Sequence, residues 1–211
     1  MDKIKKREKI VQTNKKYYNK KGKSYIEDAS GYFPLIFSSK IFKDFVKALP
    51  GKKVLDLGCG PGFVEKYFSD KGYDITGVDI AENMIKVAKK LAPEAKYCNI
   101  NVTDVSELEG EFDGVIGIHI AQFLDKDQLK EMFNSVYEKL EKNGKFLFIF
   151  TNTCHPSTGY HEDKKTPGYG EYWHKWDLDD IAPLFPKSKF KLLDFEFNGV
   201  DPGIMFLAEK K

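Results

Sequence analysis

Three glycines at alternating positions are the residues of this chain best placed to do chemistry. They stand as Gly58, Gly60 and Gly62 in Val54-Leu-Asp-Leu-Gly-Cys-Gly-Pro-Gly-Phe63, between an apolar run and a helical pattern. A strand that enters such a turn and leaves it as a helix lets backbone approach a ligand closely. It also aims the first helical N–H groups at that ligand. Val78-Asp79 closes the next apolar run. An acid about 20 residues after the glycines is placed to hold the two hydroxyls of a ribose.

Dinucleotide enzymes share a glycine turn, and an ordinary turn shares its glycines, so both readings stand beside this one. Asp56 discriminates between them. It lies two residues before Gly58, at the end of the first apolar run. A pyrophosphate carries two negative charges, and a neighbouring carboxylate repels them. S-adenosyl-L-methionine carries a sulfonium, an ammonium and no phosphate, so an acid there attracts it. The spacing G-x-G-x-G also departs from the dinucleotide G-x-G-x-x-G. The expected cofactor is S-adenosyl-L-methionine, with S-adenosyl-L-homocysteine as its product.

The elements that must position these residues alternate. Short apolar runs recur at 54–57, 74–78, 95–100, 115–118 and 146–150. Their continuous apolar character predicts strands covered on both faces, as parallel strands are. Helical patterns lie between them at about 62–71, 81–91 and 126–142. That alternation predicts βαβ units and a doubly wound sheet. Pro93 stops the second helix, Asn143-Gly144 the third, and Asp177 opens a short helix over 178–185. Two last strands, 190–197 and 204–208, flank the turn-rich Asn198-Gly-Val-Asp-Pro-Gly203 as a hairpin. Residues 1–48 read as mostly helical, with Ile4, Val11 and Tyr18 forming an apolar stripe. Residues 151–176 read as a long irregular insert. Loops of that length are functional or disordered, and three His, both Trp and three Tyr argue against disorder here.

Asp56-Leu-Gly-Cys-Gly-Pro-Gly followed by Gly77-Val-Asp-Ile80 resembles the first two motifs of class I S-adenosylmethionine-dependent methyltransferases. Ala81-Glu-Asn-Met-Ile85 and Phe112-Asp-Gly-Val-Ile116 are similar to the family's segments after the ribose acid and at the fourth strand. The likeness is to the small-molecule type, covers about 50–150 and extends through 190–209. It implies an α/β fold: a doubly wound, seven-stranded Rossmann-like sheet in the order 3-2-1-4-5-7-6, the last-numbered strand antiparallel. One domain then spans 1–211. Its parts are an N-terminal helical cap at 1–48, a cofactor-binding half at 49–150, a substrate lid after strand 5 at 151–176, and a closing helix and antiparallel hairpin at 177–211.

Position by position, the resemblance implies that Asp56 and the turn of Gly58, Cys59 and Gly60 meet the methionyl part. Asp79 binds the ribose hydroxyls. Ile80 and Met84 pack on the adenine, although Met84 reads equally as core. Asn101, with Val102 beside it, stands where the family has an acid that accepts from the adenine amino group. Asn101 can accept through its amide oxygen. Asp104 is the alternative, or else the cap of a short helix at 105–109. Tyr17, Tyr18 and Tyr25 precede the first strand, where related enzymes place a tyrosine over the cofactor. Tyr17 and Tyr25 are the expected cofactor contacts and Tyr18 a substrate contact, with packing as the other reading.

Methyl transfer from a sulfonium is an in-line displacement that mainly needs alignment. A base is needed only where the nucleophile arrives protonated, and a histidine suits that task. His119 follows the fourth run, at the strand edge where doubly wound sheets bind ligands. It is the expected catalytic residue and cofactor neighbour, with a packed histidine as the other reading. In the insert, His155, Tyr160, Tyr169, Tyr172 and Trp173 are expected to bind substrate. Glu162, Asp163 and Glu171 balance Lys164, Lys165 and Lys175 there. A neutral aromatic lid suits a small, partly apolar acceptor, although half of its aromatics are expected to pack the loop onto the sheet. No metal is expected, because the histidine spacings match no zinc pattern and no cysteine pairs join them.

Composition bounds the rest. A chain of 211 residues with 41% hydrophobic content fits one domain with a true core. No run approaches 18 apolar residues, so no membrane span is expected. Met1-Asp-Lys-Ile-Lys-Lys has no apolar stretch behind its charges, unlike a secretory signal. Cys59, Cys98 and Cys154 are odd in number and widely spaced, which suits a reducing, cytoplasmic setting. The net charge of +2 hides nine Lys and one Arg against Asp2 and Glu8 in residues 1–23, about +8, leaving about −6 for the body. That arm raises RNA or protein methylation as the alternative. Gly117-Ile-His-Ile120 stands where many nucleic-acid enzymes carry an Asn/Asp-Pro-Pro-Tyr/Phe motif, and no Pro-Cys nucleophile is present. The expected partner is therefore a small-molecule methyl acceptor rather than nucleic acid or membrane, and the expected state a monomer or homodimer.

Overall fold

Apolar residues on both faces of each central strand force cover on both sides of the sheet. The computed structural model describes residues 2–151, 157–198 and 203–211. Its parallel strands are β1 (Lys53–Leu57), β2 (Asp74–Val78), β3 (Lys96–Cys98), β4 (Phe112–Ile118) and β5 (Leu140–Phe150). A lid hairpin of β6 (Gly159–Glu162) and β7 (Gly170–Trp173) follows, then β8 (Phe190–Asn198) and β9 (Gly203–Lys210). The main sheet runs β3-β2-β1-β4-β5-β9-β8, and β9 lies antiparallel to both β5 and β8. With the lid hairpin set aside, this is the expected seven-stranded order.

Alternation along β5 sorts the core into two layers. Phe146 and Phe148 face Leu129, Met132, Phe133 and Val136 of α7 (Lys126–Lys139). Leu147 and Ile149 point the other way, toward α4 (Lys40–Ala48) and α5 (Phe63–Ser69), which contribute Ile41, Phe42, Phe45, Val64 and Phe68. Helix α6 (Glu82–Leu91) packs beside α5. Asp125 opens α7 by accepting from the Asp127 and Gln128 N–H groups, while the Gln128 side chain accepts from the Asp125 N–H. No helix among the described residues is long and apolar enough to cross a membrane.

Several boundaries differ from the sequence expectation. Helix α7 ends at Lys139, because Leu140 pairs with Phe112 and starts β5 early. Asn143 then takes φ +63 as an irregularity within the strand rather than as a helix stop. The closing helix α8 (Leu178–Ile181) is one turn long and does not reach 185. The insert is not wholly irregular, since Tyr160 faces Tyr172 across the β6–β7 hairpin.

The cap is four helices, α1 (Lys3–Lys21), α2 (Ser24–Ala29), α3 (Phe33–Ser38) and the α4 already placed. Of the Ile4–Val11–Tyr18 stripe, Val11 and Tyr18 turn to the cavity beside the sheet, whereas Ile4 is 64% exposed. The buried positions of α1 are Asn14, Tyr17 and Lys21. The Asn14 side chain donates to the Tyr172 carbonyl at 3.1 Å and accepts from its N–H at 2.6 Å. It completes the outer edge of β7 as another strand residue would. Arg7 donates to both oxygens of Asp125 at 3.1 and 3.2 Å, and Lys15 pairs with Glu82.

One glycine fixes how closely two helices approach. Gly62 holds φ +96, and a Cβ there would lie 2.9 Å from the Ala88 backbone of α6. Gly62→Ala is expected to cost about 1–3 kcal/mol of stability through strain and overpacking, read by urea unfolding. An unchanged midpoint would mean that this approach constrains nothing.

Candidate functional site

The glycine turn is bolted to the end of β2. The Gly58 and Cys59 N–H groups donate to the Val78 carbonyl at 2.8 and 2.9 Å. The Asp79 carboxylate accepts from the Gly60 N–H at 2.9 Å and from the Ala81 N–H at 2.8 Å, one on each oxygen. The Asn99 amide donates to the Asp79 carbonyl at 2.8 Å. Asp79 is thus fixed in orientation, and lone pairs on both oxygens remain for further donors. Burial pushes its carboxyl up to about 6, against the pull of the two N–H groups.

Two further acids lie beneath the turn. Asp56, at the end of β1, is buried, and its Oδ1 has no hydrogen-bond partner among the described residues. Glu65 of α5 is fully buried, and neither of its oxygens has a partner there. Burial raises both carboxyls, and the Asp56 charge pushes Glu65 further, so that Glu65 keeps its proton. No motif marks Glu65. Its signal is Gly77 in the middle of β2, where a Cβ would lie 2.3 Å from Glu65 Oε1.

A cavity of about 410 Å³ opens above the turn. Gly58, Cys59, Gly60, Asp79, Ile80, Asn101 and Val102 line its floor. A Cβ at Gly60 would meet no protein atom within 4 Å, so the backbone there faces open space. Among the described residues Lys21 is the one Lys or Arg in the lining, and Asp163 holds it at 2.9 Å. That ion pair pulls Asp163 down to about 2. A floor of buried acid and backbone N–H, with no cation beneath it, fits a cationic nucleoside and disfavours a pyrophosphate. In such a ligand, Asp79 would hold a ribose diol; Asp56, expected to meet the methionyl part, lies beneath the turn and does not line the cavity.

His119 stands on the cavity wall just past β4, in the left-handed region at φ +53. A non-glycine residue costs about 1–3 kcal/mol there, and such strain concentrates at functional positions. Its N–H donates to the Ile149 carbonyl at 2.8 Å. Its Nε2 meets the Tyr32 hydroxyl, and the two ring centroids are 4.7 Å apart. Burial pushes the imidazole down to about 4, so it is neutral near pH 7.

Aromatic rings form the roof. Tyr18 of the cap packs on Tyr17, Tyr25 and Phe123, and Phe123 in turn on Trp173. The Tyr18 hydroxyl donates to Glu171 at 2.6 Å and the Tyr17 hydroxyl to Asp163 at 3.3 Å.

Not every expected site residue comes to this cavity. Met84 is buried in α6 and does not line it, as its core reading had it. Tyr160 is 53% exposed on the lid. Tyr169 lies on the outer surface, 5.1 Å under the Lys16 ammonium. Tyr172 meets Asn14 through its backbone, and its ring sits 5.3 Å from His174. Tyr160 and Tyr172 miss because they pair across the hairpin on the face opposite Glu171 and Trp173, and Tyr169 lies in the connection before β7. His155 falls outside the described residues. Asn101 lines the cavity and also caps the 3₁₀ turn Val102–Glu107 through the Thr103 N–H, so Asp104 is not that cap but an exposed residue bonded to the Thr103 hydroxyl. Tyr32, Phe123 and Glu171 join the wall unmarked by any motif.

Residues 54–144 match the family described as methyltransferase domain. A ubiquinone biosynthesis O-methyltransferase of Dechloromonas aromatica is 37% identical over 116 residues, which is 53% of this chain and 49% of that protein. A 23S rRNA (uracil(747)-C(5))-methyltransferase of Pyrococcus abyssi is 30% identical over 183 residues, 80% of this chain and 41% of that protein. The chain spans about half the length of the curated relatives it matches. Among solved structures, a DhpI–SAH complex shares the fold at TM-score 0.76 and 15% identity, covering 95% of this chain and 96% of that one.

The Asp79 geometry sets a pH dependence. The ionised carboxylate accepts from a diol, and it takes up a proton as pH falls through about 6. Calorimetric affinity for S-adenosylhomocysteine is expected to be full at pH 8 and to weaken below pH 6 by about tenfold per unit at the limit of one linked proton. Asp79→Ala is expected to abolish binding at every pH. Wild-type affinity in that variant would remove the ribose assignment.

Proposed function

The chain belongs to the class I S-adenosylmethionine-dependent methyltransferase superfamily, and on that premise we propose that it methylates a nitrogen or oxygen nucleophile of a small molecule by in-line displacement. The observation that carries this reading is the enclosed aromatic cavity that runs from the glycine turn to the Tyr32–His119 pair. An acceptor of a few rings' size fits such a space, whereas a folded nucleic acid needs an open, cationic approach.

Bound S-adenosylmethionine supplies an electrophilic methyl carbon on a good leaving group. The protein's residues then have three tasks. Asp79, held in place by the Gly60 and Ala81 N–H groups, orients the nucleoside, so the methyl carbon faces the wall that bears His119. The roof of Tyr17, Tyr18, Tyr25 and Phe123 excludes water from the line of attack. The Tyr32 hydroxyl, hydrogen-bonded to neutral His119, passes a proton from the acceptor to Nε2.

RNA methylation is the second reading, favoured by the rRNA methyltransferase among the relatives. Against it stands the pairing of Arg7, Lys15 and Lys21 with acids of the body, which spends part of the arm's charge inside the fold.

Transfer of labelled methyl from S-adenosylmethionine into cell-extract fractions tests both readings. Label is expected in small metabolites; label confined to RNA would overturn the proposal. With the acceptor found, His119→Ala and Tyr32→Phe are each expected to lower kcat by roughly 10²–10⁴-fold. Affinity for S-adenosylhomocysteine should stay within about threefold, since neither side chain holds the ribose. Wild-type kcat in both variants would show that the pair moves no proton.

A further inference from the structure

The roof of the cavity is a box. Tyr18 meets Tyr17 at 78°, Tyr25 at 83° and Phe123 at 77°, with ring centroids 5.0 to 5.6 Å apart. Phe123 meets Trp173 at 88° and 6.1 Å. Rings at these angles and distances pack edge to face on one another, and the faces they leave turned to the cavity attract a cation. On the same roof stands the carboxylate of Glu171, oriented by the Tyr18 hydroxyl at 2.6 Å. None of these rings is required by the glycine turn, and none belongs to the motifs of the cofactor-binding half.

The charge of the cavity has the same sign throughout. Asp79 and Glu171 line it as acids, and the Lys21 ammonium is already neutralised by Asp163. No arginine lines it among the described residues. A phosphate or carboxylate on the acceptor would meet aromatic faces and Glu171, with no fork of donors to receive it. A protonated amine would meet ring faces and a carboxylate.

We propose that the methyl acceptor is an amine, seized as its ammonium by the Tyr17–Tyr18–Tyr25–Phe123–Trp173 box with Glu171. The inference rests on the methyltransferase reading above and names the substrate class of that same site. The ammonium first loses one proton to solvent water. The freed nitrogen lone pair forms the new nitrogen–carbon bond. The carbon–sulfur bond breaks, and its electron pair stays on sulfur. The positive charge thereby passes from sulfur to nitrogen, and the product is again an ammonium that the box can hold.

The test uses the full chain saturated with S-adenosylhomocysteine, whose own binding is read first by calorimetry. Isosteric probes that differ in charge are then titrated: 2-phenylethylamine, 2-phenylethanol and phenylacetate, and hexylamine, hexanol and hexanoate. At pH 7.5 at least one amine is expected to bind about tenfold or more tightly than both isosteres. Glu171→Gln keeps an acceptor for the Tyr18 hydroxyl, so the roof stays in place. It is expected to reduce the amine preference about tenfold while leaving affinity for S-adenosylhomocysteine unchanged. The inference is overturned if no amine binds more tightly than its isosteres, if the anion is preferred, or if Glu171→Gln keeps the full preference. Each of those outcomes leaves the methyltransferase reading standing as long as S-adenosylhomocysteine binds. Failure of S-adenosylhomocysteine itself to bind overturns both.

Discussion

Carboxyl groups buried at the carboxyl edge of the sheet are the constraint on which the rest of this structure depends. Asp56 of β1, Glu65 of α5 and Asp79 just past β2 all lie out of water. Desolvating a carboxylate is costly unless donors or a cation compensate it. Asp79 has two backbone N–H groups, but Asp56 Oδ1 and both Glu65 oxygens have no partner among the described residues. The glycines let the backbone fold close enough to supply those N–H groups, and Gly77 clears the room that Glu65 fills. A cationic ligand above the turn supplies what the fold lacks. This ties the choice of cofactor to the energetics of the apo site rather than to the turn alone.

Charge also organises the cap. The lysine-rich helix α1 turns Val11, Tyr17 and Tyr18 to the cavity. Its polar groups have counterparts on the body: Asn14 on the β7 edge, Arg7 on the acids that open α7, Lys21 on Asp163 of the lid. Exposed ion pairs of this kind contribute little singly. The Asn14 bonds and the buried Lys21–Asp163 pair are different, because they break only if cap and lid separate together. Opening the cavity therefore moves α1 and the hairpin as one unit, and the tyrosines of the roof go with them.

Much of this was legible in the residues. The apolar runs predicted a doubly wound sheet, because strand–helix alternation is a matter of local spacing, and the resemblance implied its order. The glycine turn and Asp79 marked the floor of the cavity, whereas Asp56 lies beneath it. His119 could be placed from its position after β4. The roof was harder to read. Tyr160 and Tyr172 have the same chemistry as Trp173, yet alternation along the hairpin turns them away from the cavity, and Tyr169 lies before the strand. Tyr32 and Phe123 reach the wall through tertiary packing that leaves no periodic trace. Of the α1 stripe, Val11 and Tyr18 reach the cavity and Ile4 does not. Asn143 misled because a left-handed residue stops a helix and kinks a strand equally well.

Buried acids at this edge should select a cationic, phosphate-free nucleoside. Calorimetric titration of the full chain at pH 8 with S-adenosylmethionine and, in parallel, with NAD measures that selection. Saturable binding of S-adenosylmethionine at a one-to-one ratio is expected, with no heat from NAD. Binding of NAD with none of S-adenosylmethionine would show that the acids select nothing of the kind.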